Sequence, residues 1–232
     1  MGNSRASLES RGTRIGLMGG TFDPVHLGHL RAAEEIREAF HLSRLEFIPA
    51  RIPPHKTGRP FTSISHRIEM LRDAIRGVPG FSVSEAEAGR QGISYLVDTL
   101  RMYRSEQGPQ ASLFFIMGMD SFREIGTWHR YPEILSLSDF IVIARPGYER
   151  PSLADVIPEE VARTFREAQP DRSVLEHESG RKIYFQEITL LDISATRIRE
   201  WARQGRSVRY LVPEGVLAYM RKHGLYPPAR KD

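Results

Sequence analysis

Apolar positions along the chain fall into two alternating patterns. Short, nearly continuous runs at Thr13–Met18 (TRIGLM), Arg44–Pro49, Phe81–Val83, Leu113–Met117 (LFFIM), Phe140–Ala144 (FIVIA) and Lys182–Gln186 read as strands. LFFIM and FIVIA carry no polar residue, the pattern of parallel strands covered on both faces, because a strand with one wet face would alternate. Between the runs the spacing changes. Leu27, Leu30, Ala33, Ile36 and Phe40 recur at intervals of three and four across Val25–Phe40, which is one face of a helix. Ser65–Arg76 repeats this through Ile68, Leu71 and Ile75, and Tyr95–Tyr103, Ala195–Gln204 and Pro213–Lys222 predict three further helices. Strands alternating with helices predict an α/β fold: a doubly wound parallel sheet, Rossmann-like, with a small helical segment at its C-terminal end.

The same pattern predicts one domain over residues 13–226, with residues 193–226 as its helical part. Residues 1–12 (MGNSRASLESRG) are polar and lack the apolar core of a secretory signal, and Ala6 stands where a myristoylation site requires Ser or Thr. A disordered leader is expected there, and a frayed tail over 227–232. Pro151–Gly180 is polar and rich in Glu and Arg, with a helix expected near Pro158–Ala168; it interrupts the alternation and reads as an insertion or flap.

Composition removes several classes of function. Among 232 residues there is no cysteine, which excludes disulfide scaffolds, thiolate zinc sites and thiol catalysis, and points to the cytoplasm. No apolar run approaches the ~20 residues of a membrane-spanning helix. Basic residues outnumber acidic ones 33 to 29, and only four of the 33 are lysine. Arginine grips phosphates with a planar fork, so the bias suits an anionic ligand. Nucleic acid is disfavoured as that ligand, because no aromatic RNA-binding motif, zinc finger or long basic run is present.

The densest chemical signal is Gly19-Gly20-Thr21-Phe22-Asp23-Pro24-Val25-His26-Leu27-Gly28-His29, directly after the first strand and opening the first helix. In doubly wound sheets ligands bind beyond the carboxyl ends of strands, so this turn lies at a site. Asp23 and Pro24 suit the N-cap and first position of a helix. His26 and His29, three apart, leave one face of its first turn, and Gly28 leaves room for a bulky anion. The helix dipole disfavours two protonated imidazoles there, and a bound phosphate would reverse that preference. No G-x-x-x-x-G-K-S/T loop, G-x-G-x-x-G fingerprint, H-E-x-x-H or G-x-S-x-G is present, which disfavours P-loop hydrolases and ordinary dinucleotide dehydrogenases.

GGTFDPVHLGHL resembles the signature of the HxGH nucleotidyltransferases, and is most similar to the bacterial branch that joins nicotinate mononucleotide to the AMP part of ATP. The similarity runs over residues 13–222 and includes Pro53-Pro54-His55-Lys56, Gly118-Met119-Asp120-Ser121, Trp128-His129, Arg145-Pro146-Gly147 and Ile193-Ser194-Ala195-Thr196-Arg197-Ile198-Arg199. It implies that ATP is held by Gly19, Gly20, Thr21, Phe22, His26, His29, Gly118, Asp120, Arg145, Ser194, Thr196 and Arg199. Nicotinate mononucleotide falls to Lys56, Tyr95, Leu96, Trp128 and His129. Transition-state charge falls to His26, His29, Lys56 and Arg199. Mg²⁺ is implied only as a companion of ATP, with no resident metal, no nucleic acid and no membrane; a homo-oligomer is left open.

One position departs from the family pattern. Leu96 in Ser94-Tyr95-Leu96 stands where the branch has a Thr that bonds the nicotinate carboxylate. The loss weakens the expected preference for acid over amide by about 1.5–3 kcal/mol unless other donors compensate. The alternatives are a sister enzyme acting on nicotinamide mononucleotide or pantetheine phosphate, and a non-catalytic nucleotide sensor. The intact His26, His29 and Lys56 weigh against the sensor.

Overall fold

The computed structural model describes residues 12–51, 61–90, 92–144, 151–170, 173–189 and 191–228. The expected leader up to residue 11, the loop with Lys56, the Arg145-Pro146-Gly147 turn and the tail from residue 229 lie outside the described residues.

Among the described residues eight strands form one sheet in the order β3-β2-β1-β4-β5-β8-β7-β6. They are β1 (Arg14–Gly20), β2 (Arg44–Pro49), β3 (Phe81–Val83), β4 (Ser112–Gly118), β5 (Asp139–Ala144), β6 (Phe165–Glu167), β7 (Val174–His177) and β8 (Lys182–Glu187). All pairings from β3 through β8 are parallel, and β7 and β6 add an antiparallel edge. The continuous apolar runs have the reason the sequence suggested: the central strands are buried on both faces. In β4, Phe114 and Ile116 face one core, while Leu113, Phe115 and Met117 face the other.

Helices cover both faces. The first core lies under α1 (Leu27–Ala39), α2 (Ile64–Ala74), α7 (Ala195–Arg203) and α8 (Glu214–Lys222); the second lies under α3 (Leu96–Gln107), α4 (Met119–Arg123) and α5 (Tyr131–Leu137). After β1 the chain therefore turns to one face, and after the neighbouring β4 to the other. A crevice opens between them at the carboxyl ends of the strands.

Three local expectations are corrected. The helix expected over Pro158–Ala168 is one turn, α6 (Glu159–Ala162), and Phe165–Glu167 instead pairs with β7. There the polar run pairs as an edge ribbon, where side chains alternate into solvent and no helical stripe is needed. Residues Gly19 and Gly20, expected to end the first strand, belong to β1 and pair with Ile48 and Pro49. The first helix begins later than Asp23-Pro24: the Asp23–Pro24 peptide bond is cis, His26 is the N-cap and Leu27 the first helical residue.

Arg67 of α2 is 1% exposed, although it is charged. Its guanidinium donates to four main-chain carbonyls: Nε to Thr62 at 3.0 Å, Nη1 to Thr21 and Ala50 at 2.8 Å each, and Nη2 to Arg51 at 3.2 Å. It thereby joins the turn after β1, the end of β2 and the approach to α2. Asp23, 3% exposed, adds the countercharge, and its carboxylate accepts from the Tyr226 hydroxyl at 2.5 Å and the Thr62 N–H at 3.5 Å. Removing the guanidinium strands four carbonyls and a buried carboxylate. Arg67→Met is expected to cost at least ~3 kcal/mol in urea unfolding, against less than ~0.5 kcal/mol for an exposed Arg76→Met control; equal midpoints for the two variants would refute the role.

Candidate active site

The crevice has two lobes. The larger, about 880 Å³, is lined by Thr21, Phe22, His26, His29, Gly118, Asp120, Ser194, Thr196 and Arg199 among others. The smaller, about 470 Å³, is lined by Tyr95, Leu96, Trp128 and His129, with Glu87 and Ser94. Both share Gly19, Gly20, Thr21, Met117, Gly118 and Ser121, the ends of β1 and β4 and the turns that follow. Of the positions singled out in the sequence, Phe22, His26, His29, Asp120, Ser194, Thr196 and Arg199 line the larger lobe, Tyr95, Leu96, Trp128 and His129 line the smaller, and Gly19, Gly20, Thr21 and Gly118 line both. Lys56 and Arg145 fall outside the described residues.

The first turn is built by packing. Phe22 holds a left-handed backbone (φ 50°), a conformation that costs a non-glycine residue ~1 kcal/mol. The ring offsets this: it is 2% exposed, meeting His29 edge-on at 5.0 Å and Phe47 at 5.7 Å. Gly20 makes room for it, because a Cβ there would lie 2.7 Å from the Phe22 ring. Gly28 serves His26 in the same way. A Cβ at Gly28 would lie 3.1 Å from His26 Nδ1, so the space expected for an anion directly above Gly28 is taken by an imidazole.

The two imidazoles stack, with centroids 3.6 Å apart and planes 22° apart. His29 Nδ1 accepts from the His26 main-chain N–H at 3.2 Å, so in its neutral form His29 carries its proton on Nε2. His26 is 6% exposed and its buried Nδ1 has no hydrogen-bond partner among the described residues. Burial pushes its pKa from 6.5 down to about 4. The His26 imidazole is therefore neutral at pH 7, and the pair avoids the repulsion of two stacked cations.

Across the lobe, α7 opens at Ser194, whose hydroxyl caps the Arg197 N–H at 3.2 Å. Arg199, one turn later, donates Nη1 to the Asp23 carbonyl at 2.6 Å and Nη2 to Thr196 Oγ1 at 3.2 Å, which fixes the guanidinium beside the first turn. The Leu27 N–H at the start of α1 donates to the Leu211 carbonyl at 3.0 Å, so the segment between α7 and α8 also braces this corner. Asp120 occupies the first turn of α4, whose N-cap is Gly118. In the smaller lobe the Tyr95 and His129 rings lie 4.4 Å apart.

Motif reading assigned no role to Arg67 and Tyr226, which brace the first turn from behind, or to Glu87 and Ser94, which line the smaller lobe. For Arg67 a signal existed: Ile64, Arg67, Ile68 and Leu71 share one helical face, so the arginine interrupts an apolar stripe. Tyr226 carried none, since its partner Asp23 lies 203 residues away.

A doubly wound sheet with a two-lobed crevice at its switch point, stacked histidines and a fixed arginine is the build of a nucleotide-binding transferase. The family model described as cytidylyltransferase-like matches residues 17–201. A probable nicotinate-nucleotide adenylyltransferase of Geobacter sp. (strain M21) is 45% identical over 217 residues, covering 94% of this chain and 100% of the relative. The protein of the same description from Pelobacter propionicus is 45% identical over 213 residues, covering 92% and 98%. Among solved structures, Plasmodium falciparum nicotinic acid mononucleotide adenylyltransferase complexed with NaAD superimposes with a TM-score of 0.70 at 18% identity over 92% of this chain and 97% of that one, a likeness of fold. The chain belongs to the cytidylyltransferase-like family, in its group of nicotinate-nucleotide adenylyltransferases.

The burial of His26 has a consequence for stability. The native state resists protonation of a group that takes a proton near pH 6.5 when unfolded. The associated stability is complete above that pH and falls as pH drops from 6.5 towards 4, by up to ~3 kcal/mol. Urea unfolding at pH 7.5, 5.5 and 4.5 is expected to show this loss in the wild type and a shallower one in His26→Asn; parallel curves would rule out a buried neutral imidazole.

Proposed function

We propose that the chain transfers the adenylyl group of ATP to nicotinate mononucleotide, forming nicotinate adenine dinucleotide and pyrophosphate. The observation that supports this most is the division of the crevice: a larger lobe lined by the histidines and Arg199, and a smaller one lined by aromatic residues, meeting at Gly19, Gly20, Thr21 and Gly118. A nucleoside triphosphate in the first and a pyridine mononucleotide in the second would bring the α-phosphorus of one beside the phosphate of the other.

A phosphate oxygen of the mononucleotide attacks the α-phosphorus in line; the new P–O bond forms as the bond to the β-phosphate oxygen breaks, and pyrophosphate leaves. The attacking dianion needs no base, so the protein contributes positioning and charge stabilisation. His29 offers Nε2–H to the transferring group. His26 and the main chain of the first turn shape the cradle, and Arg199, with Lys56, offsets charge on the leaving group. Mg²⁺ enters with the ATP substrate and shields its phosphates when bound. Residues present fit a substrate-borne ion better than a resident one: Asp23 is engaged by Tyr226 and Thr62, and no group of three or more His, Asp or Glu side chains among the described residues could hold a metal. Leu96 supplies no hydroxyl, so the nicotinate carboxylate would depend on main-chain donors near Trp128 and His129. No described helix is long and apolar enough to cross a membrane; with the absence of cysteine, we read the enzyme as cytoplasmic.

Pyrophosphate release with Mg·ATP and, separately, nicotinate mononucleotide, nicotinamide mononucleotide or phosphopantetheine tests this reading. Turnover confined to the first is expected, and silence with all three would turn the reading to a sensor. His29→Ala is expected to lower kcat by about 10²-fold or more with a much smaller change in ATP affinity; near wild-type turnover would remove His29 from the chemistry.

A further inference from the structure

One wall of the smaller lobe is held by a group that the sequence signature does not include. Glu87, in the connection between β3 and α3, is 6% exposed and lines the lobe beside Ser94, Tyr95 and Leu96. Its Oε1 accepts from the Thr99 hydroxyl at 2.9 Å, and the Ser94 hydroxyl donates to the same carboxyl group. Each hydroxyl is itself engaged from behind: Arg90 Nη1 donates to Thr99 Oγ1 at 2.9 Å, and the Arg51 main-chain N–H to Ser94 Oγ at 3.3 Å. The Arg51 guanidinium donates to the Arg90 carbonyl. These bonds close a ring through Arg51, Ser94, Glu87, Thr99 and Arg90. Its polarity is set, because a hydroxyl that has accepted from a committed donor turns its own proton outward, and both protons go to Glu87.

The ring spans the connection after β2 at Arg51, the connection before α3, and the first turn of α3. That helix has no side-chain cap of its own: its N-cap is Tyr95, which makes no side-chain capping bond, and Leu96 is its first residue. No side-chain cap therefore marks the start of α3, and the bond from Ser94 to Glu87 fixes the residue just before its N-cap. Thr99 Oγ1 ties the first turn of the helix to the same carboxyl group.

We infer that Glu87 is a positioning residue for the pyridine mononucleotide, acting through Ser94 and Thr99 to hold Tyr95 and Leu96 in the wall of its lobe. The inference rests on the adenylyl-transfer reading for the identity of the substrate. Glu87 is engaged by hydroxyls, so it acts on the substrate through its neighbours. The larger lobe shares none of the ring's members, so the effect belongs to one substrate only.

Steady-state kinetics on the full chain test it, varying nicotinate mononucleotide at saturating Mg·ATP and the reverse. Glu87→Gln and Thr99→Val should each raise KM for the mononucleotide by about tenfold, with kcat and KM for ATP within about twofold of wild type. Thr99→Ser, which keeps the hydroxyl, should match the wild type. The double variant Glu87→Gln/Thr99→Val should be no worse than the poorer single one, since both open the same ring. An unchanged KM for the mononucleotide in folded Glu87→Gln, a parallel rise in both KM values, or a fall in kcat alone would overturn the inference. Should Glu87→Gln fail to fold, the contrast between Thr99→Val and Thr99→Ser decides, and equal kinetics in those two would overturn it. No turnover by the wild type would instead sink the adenylyl-transfer reading; calorimetric titration with nicotinate mononucleotide then reads the same shift as a change in Kd, and an unchanged Kd in Thr99→Val would overturn the positioning role.

Discussion

The site depends on one buried guanidinium. Arg67 collects the carbonyls of Thr21, Ala50, Arg51 and Thr62, which belong to the β1–α1 connection and to both ends of the β2–α2 connection. The Ala50 N–H donates to the Gly20 carbonyl at 2.9 Å, but these four carbonyls take their hydrogen bonds from a side chain. A planar cation with five donors can satisfy them together, and a lysine with one nitrogen cannot span them. Asp23 balances the charge and passes the constraint to Tyr226 near the C-terminus, while its carbonyl takes Arg199. The first turn, the end of β2 and the C-terminal helices are thus held as a unit.

Chemistry and stability pull apart in this corner. Burying His26 without a partner for Nδ1 among the described residues, and holding Phe22 left-handed, both cost stability. What they provide is a pair of stacked imidazoles whose orientation does not wait for the ligand. His29 is oriented by the His26 main chain, and His26 by the absence of a side chain at Gly28. Preorganised donors of this kind lose little when charge shifts during phosphoryl transfer.

Much of this was legible in the chain. LFFIM and FIVIA fixed the central strands because strands buried on two faces have no alternative pattern. The Gly19–His29 segment marked the site because its residue types suit a strand–turn–helix corner and little else. Reading failed where a pattern had two solutions. Phe165–Glu167 fits a helix by composition and pairs as an edge strand, and Asp23 fits an N-cap by type yet serves as the buried countercharge of Arg67. In both, a partner distant in sequence decided the outcome.

The sequence alone determined the long parallel strands β1, β2, β4, β5 and β8, the helices α1, α2, α3, α7 and α8, and the turn after β1 as the candidate site, because periodicity and turn chemistry are local properties. Tertiary structure decided the rest. It divided the crevice into two lobes, buried His26, and brought Arg67 and Tyr226 to the first turn. Those are properties of burial and of contacts between residues far apart in the chain, and local spacing carries at most a hint of them, as where Arg67 interrupts the apolar stripe of α2.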